Sequence, residues 1–111
     1  MEQLFLELPP LEKPLLRGDT IEARFHSFHD ANPHVYSALV IMATQLLNRG
    51  RSTIGIGMLF EALRWNYMMQ TDDPNSRYKL CNDYRSRYAR LIMRNEPQLS
   101  GVFKLRELTS S

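Results

Sequence analysis

The stretch Asn82-Asp83-Tyr84-Arg85-Ser86-Arg87-Tyr88-Ala89-Arg90-Leu91-Ile92-Met93-Arg94 fits one helix with two unlike sides. On a wheel turning about 100° per residue, Tyr84, Tyr88, Leu91 and Ile92 share one face. Arg87, Arg90 and Arg94 line the opposite face at i, i+3, i+7 spacing. Asn82 suits the N-cap, since its side-chain oxygen can accept an orphan N–H of the first turn. Asp83 places negative charge at the positive end of the helix dipole, and Asn95-Glu96-Pro97 closes the run, because proline turns the residue before it away from helical geometry. Such a helix sets a condition on the rest of the chain, which must supply a core for its apolar side while the basic side looks outward. Arg85 is the exception. It falls on the apolar side, where a buried guanidinium needs a carboxylate, and Glu61 or Glu22 is the expected partner.

The core comes from capped apolar stripes upstream. Asp19-Thr20-Ile21-Glu22 reads as a capping box with Asp19 in the Ser/Thr position. Ile21, Phe25 and Phe28 follow at i, i+4, i+7 and predict a short helix to about His29. Asn32-Pro33 restarts the chain, with Asn as cap and Pro at the first helical position, where its missing N–H costs nothing. The second helix is expected over 33–49, with Val35, Leu39, Met42 and Leu46 inward and Gly50 as its left-handed cap. Glycines at 55 and 57 favour a short strand over 53–56 before a third helix begins. That helix is expected to be mostly buried as far as about Gln70, through Met58, Leu59, Ala62, Leu63 and Trp65. Thr71-Asp72-Asp73-Pro74-Asn75-Ser76 is a turn cluster and the clearest break in the chain. Short strands are expected over 77–80 and 102–108, where Phe103 and Leu105 alternate with Lys104 and Arg106.

These segments predict a mainly α protein: one domain of about four helices with a short β element, occupying residues 19–111. Its expected core includes Phe25, Phe28, Leu39, Met42, Leu46, Leu59, Leu63, Trp65, Tyr88 and Leu91. Residues 1–18 contain Pro9, Pro10 and Pro14 and cannot form a regular helix. Their leucines still favour burial, so they are expected to form an arm that lies on the protein's own body or on a second copy, the route by which a homo-oligomer would form. At 111 residues there is room for one modest core and not for two.

Charge narrows the function classes. Residues 1–75 hold six Lys/Arg against nine Asp/Glu, a net of −3, whereas residues 76–111 hold eight against three, a net of +5. A C-terminal third so basic favours an anionic partner, either DNA or an acidic protein surface. Cys81 is the single cysteine, which fits a reducing, cytoplasmic setting and excludes an intramolecular disulfide. No apolar run approaches the roughly 20 residues that span a bilayer, so no membrane association is expected. His26-x-x-His29 puts two imidazoles on one helical face, but no second ligand pair at zinc-site spacing accompanies it. Neither a Ser-His-Asp order, a glycine-rich phosphate loop nor a carboxylate pair emerges, so binding without a cofactor is expected rather than catalysis.

The order helix, short strand, helix, loop, helix, strand resembles a winged helix-turn-helix domain whose third helix enters the major groove. On that reading Arg87, Arg90 and Arg94 meet base edges or phosphates, with Asn82 and Ser86 near the helix start and Lys104 and Arg106 on a wing. The connection between Gln70 and Asn82 is longer than the 3–4 residues of a tight helix-turn-helix.

With Phe28-His29-Asp30-Ala31-Asn32-Pro33-His34-Val35-Tyr36, Gly57-Met58-Leu59-Phe60-Glu61-Ala62-Leu63-Arg64-Trp65 and Ser86-Arg87-Tyr88-Ala89-Arg90-Leu91-Ile92, the chain resembles a family of small uncharacterised proteins of bacteriophages and prophages over roughly residues 25–108. The family brings no biochemical activity and no functional residues with it. The resemblance implies an accessory phage protein acting in the cytoplasm of a bacterial host. Two roles follow: a regulator that binds double-stranded DNA, or an inhibitor or adaptor that binds a host protein such as a defence nuclease.

Overall fold

A computed structural model describes residues 7–12, 20–70 and 80–104. Four helices form: α1 (Ile21–Ala31), α2 (Pro33–Asn48), α3 (Ile56–Gln70) and α4 (Arg85–Asn95), with single 3₁₀ turns at Asn82–Tyr84 and Pro97–Leu99. The mainly helical expectation holds, and the ends of α1 and α2 have local reasons. Thr20, in extended backbone geometry, caps α1 by accepting the Ala23 N–H at 3.1 Å. The cap is therefore one residue later than the capping-box reading, and Asp19 lies outside the described residues. At the far end the Asn32 N–H closes α1 onto the Phe28 carbonyl (2.9 Å), and Pro33 opens α2 at once. α2 stops at Gly50, whose φ of +96° favours a residue without a Cβ. There Arg51 N–H bonds the Leu46 carbonyl and Gly50 N–H that of Leu47, both at 3.0 Å, the paired bonds of a Schellman ending.

The inner faces of all four helices meet in one core. Phe25 and Phe28 of α1, Val35 and Leu39 of α2, Leu59, Phe60 and Leu63 of α3, and Tyr88 and Ile92 of α4 are all buried. Tyr88 is its aromatic hub: its ring meets Phe25 edge-on at 4.8 Å and lies 6.1 Å from Phe60, a geometry that aligns ring edges with ring faces. Met42, Leu46 and Leu91, expected in the core, are partly buried against its margin.

Three expectations need correction. Trp65 is 49 % exposed, not core: α3 buries Leu59, Phe60, Leu63 and Asn66, and position 65 points the other way around the helix. Asn82 does not cap the arginine helix, because a 3₁₀ turn intervenes and α4 begins at Arg85, with Tyr84 at its cap position and no side-chain cap bond. Arg85 is exposed, not buried, since a residue in the first turn of α4 can leave along the helix end. The carboxylates expected for it are engaged elsewhere: Glu61 with Arg64 and Glu22 with Arg87.

No strand forms among the described residues. Ile54 and Phe103 make a single isolated parallel bridge, with the Ile54 N–H on the Val102 carbonyl at 2.9 Å. Ile54, Val102 and Phe103 are all buried, so these two short segments seal the core. The strand expected over 77–80 lies outside the described residues except for Leu80, which is buried without strand pairing. Residues 105–108, the rest of the last expected strand, also lie outside them.

Candidate binding surface

α4 is positioned by contacts at both its ends. Arg64, in the middle of α3, reaches toward the α4 entry: one guanidinium nitrogen meets Glu61 Oε2 at 2.5 Å, and the other donates to the Leu80 carbonyl at 3.1 Å and to the Asn82 side-chain oxygen. Arginine suits the task, because its planar fork makes several bonds in one fixed geometry. At the far end the Tyr36 hydroxyl of α2 donates to Glu96 Oε2 at 3.0 Å, and the Glu96 N–H closes α4 onto the Ile92 carbonyl at 2.8 Å. Burial raises the Tyr36 phenol above its ordinary range, so it stays a donor.

The seven residues expected at a DNA interface divide into four groups. Arg90 and Arg94 of α4, and Lys104 beyond the bridge, are exposed and carry no carboxylate partner among the described residues. Arg87 is half-buried and its Nε donates to Glu22 Oε2 of α1 at 2.9 Å, while Asn82 is exposed but occupied by Arg64. Ser86 is half-buried. Arg106 lies outside the described residues. Arg85, which the reading of the sequence assigned to the interior, joins the exposed basic group, with its guanidinium 3.2 Å from where a Cβ on Gly57 would stand. An alanine at 57 would press on that side chain.

α3 presents a second kind of surface, which the reading of the sequence missed. Met58, Trp65, Met68 and Met69 are 54 %, 49 %, 69 % and 54 % exposed, and Ala62 between them is exposed as well. Positions 58, 62, 65 and 69 follow a four-three-four spacing, which places them on one stripe of the helix. That spacing was legible, but the residue types alone suggested core.

His26 and His29, the pair weighed for a metal, both lie beside the Phe25 ring, and His29 stacks on it at 5.9 Å. No cluster of three His, Cys, Asp or Glu suited to a metal ion occurs among the described residues. Burial holds His29 and His34 below the usual histidine range, with Asp30 opposing the effect at His29 and Glu12 opposing it at His34. No described helix is long and apolar enough to cross a membrane. No known protein family, curated protein or solved structure matches the chain.

Proposed function

We propose that this chain is a small accessory protein that binds double-stranded DNA through the outward side of α4. The observation that carries this reading is the pair Arg90 and Arg94, one turn apart on α4, exposed and without carboxylate partners among the described residues, with Arg85 and Lys104 exposed nearby in sequence. Unpaired guanidinium groups along one helix suit phosphate contacts, and a bidentate fork suits guanine. Arg87 and Asn82 act as supports in this scheme, holding α4 to α1 and α3 while its other arginines stay free. In the winged helix-turn-helix layout α4 is the recognition helix and the Ile54–Phe103 bridge stands where the sheet begins. A phage regulator working in a bacterial host is the setting suggested by the sequence resemblance.

A titration of labelled duplex DNA at several salt concentrations tests the reading. Binding that weakens steeply with salt, by a slope of several ions, is expected from phosphate contacts. Replacing Arg90 and Arg94 together by alanine should weaken binding and make that slope shallower by about one per lost phosphate contact. Absence of binding at low salt, or a double variant that binds as the parent does, would refute it.

A second reading rests on the apolar stripe of α3. Four large apolar side chains half or more in water are unusual on one short helix, and exposed patches of this kind mark protein contacts. On that reading the chain is an inhibitor or adaptor of a host protein. Trp65→Ser would then abolish partner binding and leave DNA affinity unchanged.

A further inference from the structure

Residues 7–12 lie on the helical body of their own chain and are held at two points by side-chain amides. Gln70, the last residue of α3, accepts the Leu8 N–H at Oε1 (2.9 Å) and donates from Nε2 to the Leu8 carbonyl (3.0 Å). Asn32, at the corner between α1 and α2, does the same for Glu12: Oδ1 accepts the Glu12 N–H (2.6 Å) and Nδ2 donates to the Glu12 carbonyl (2.9 Å). An amide that meets both backbone groups of one residue imitates the edge of a neighbouring strand. Asn32 is fully buried, and its Nδ2 also reaches the Phe28 carbonyl at 3.1 Å, which fixes the orientation of that clamp. Leu11 is buried between the clamps and Leu8 is half-buried. The segment is a strap that ties the α1–α2 corner to the end of α3.

A titratable group stands beside the strap. His34 lies just past Asn32, in the first turn of α2, and its Nε2 is buried without a hydrogen-bond partner among the described residues. A neutral ring can leave a bare lone pair there. Protonation would add an N–H and a positive charge where no acceptor waits. The positive end of the α2 dipole opposes that charge as well. The charge of Glu12, on the strap, favours it, but burial outweighs Glu12 and holds His34 below the usual histidine range. His29, on the other side of the corner, makes the contrast. Its Nδ1 is also buried and unpartnered among the described residues, yet it lies in the last turn of α1, where the dipole favours a cation. The groups that act on it are Asp30 and His26 of its own helix, and its ring neighbours Phe25, Tyr36 and Tyr88 all belong to the helical body.

We propose that residues 7–12 are an acid-released strap, and that His34 is the group that loosens its Glu12 end. The neutral imidazole fits the closed strap, whereas the protonated one needs the water that opening admits. The closed form is therefore favoured in full above the ordinary histidine value of about 6.5 and loses ground as pH falls below it. Glu12 limits the effect, since its carboxylate offsets part of the burial. Opening at Glu12 leaves the strap held at Leu8 by Gln70 alone, beside the exposed Met68 and Met69 at the end of α3. Acid thus acts on the apolar side of α3 through the strap. This proposal is independent of the DNA-binding reading.

Amide hydrogen exchange on the full chain tests it, at about pH 7.5 and about pH 5.5, on either side of the ordinary histidine value. Protection factors are compared, which removes the intrinsic pH dependence of exchange. The Glu12 amide should lose protection several-fold at the lower pH, while the Leu63 amide in α3 keeps its own. His34→Phe, which keeps a ring but cannot take a proton, should hold Glu12 protection at both pH values. Glu12→Gln should enlarge the acid loss, because the offsetting carboxylate is gone. Glu12 protection that is equal at both pH values in the parent, or that falls as much in His34→Phe, overturns the proposal. If His34→Phe does not fold, the parent decides alone: the loss of Glu12 protection must follow the His34 ring-proton titration. A loss that follows His29 instead, or that Leu63 shares, overturns the proposal equally.

Discussion

α3 and α4 pack side by side in one core, yet they treat water in opposite ways. α4 shows water Arg85, Arg90 and Arg94 and hides Tyr88, Ala89 and Ile92. α3 hides Leu59, Phe60 and Leu63 but shows water Met58, Trp65, Met68 and Met69. The charged helix declares its own orientation, because burying a guanidinium without a partner costs several kcal/mol, so only one rotation about its axis is affordable. A helix apolar nearly all round carries no such penalty on either side, and its neighbours decide which side is covered. The buried stripe of α4 is therefore readable in isolation, whereas the apolar side that α3 leaves in water is not.

Five substitutions sharpen or break that contrast. The largest effect is expected on the inner side of α3: Leu63 is fully buried, and Leu63→Ala should cost about 2–5 kcal/mol in urea unfolding through lost burial and a cavity. An unchanged midpoint would mean that the buried side of α3 is wrongly placed.

Next comes the link between the two helices. Arg64→Met keeps much of the stem but leaves the Leu80 carbonyl and the Asn82 side chain without their donor. A loss of about 1–3 kcal/mol is expected, the usual cost when hydrogen bonds to a charged group are removed. The same substitution should speed amide hydrogen exchange in the first turn of α4 more than in α3. Uniform exchange changes across both helices would break the idea that Arg64 holds the α4 entry in particular.

The inner side of α4 should behave differently from that of α3. The Tyr88 hydroxyl is buried without a hydrogen-bond partner among the described residues, and burial pushes its titration above the ordinary tyrosine range. Removing an unsatisfied polar group relieves its desolvation, so Tyr88→Phe should leave stability unchanged or raise it by up to about 1 kcal/mol. A clear loss in a thermal melt would reveal a partner for that hydroxyl.

The smallest effects belong to the two outer sides. Arg90→Ala should shift stability by no more than about 0.5 kcal/mol, since the side chain stands in water, and Trp65→Ala by about 1 kcal/mol, since half of the indole is covered. Their binding phenotypes should part: Arg90→Ala weakens DNA binding, and Trp65→Ala leaves it unchanged. If both variants alter the same property by similar amounts, the two helices share one interface and the contrast between them is lost.

Local rules carried the reading of the sequence a long way. Helix punctuation needs only a few adjacent residues, so Asn32-Pro33 and Gly50 marked real boundaries, and Phe25, Phe28, Leu39, Leu59, Leu63 and Tyr88 were correctly placed inside. Arg90, Arg94 and Lys104 stand in water as their charge requires. Of the arm expected on the protein's own body or on a second copy, residues 7–12 bond Gln70 and Asn32 of the same chain. Several of the readings that failed depended on partners distant in the chain. Asn82 looks like a cap until Arg64, eighteen residues earlier, takes its oxygen, and Glu22 reaches Arg87 across sixty-five residues instead of Arg85.

What the sequence alone determined, then, is where the helices begin and end and which charged side chains must face water, because both follow from backbone hydrogen bonding and solvation within a turn or two. What only the tertiary structure decided is which apolar side of α3 is left in water and where the amides of Asn32 and Gln70 point. Those are matters of which surfaces run out of partners when four helices close on one core, and no short window of sequence contains that information.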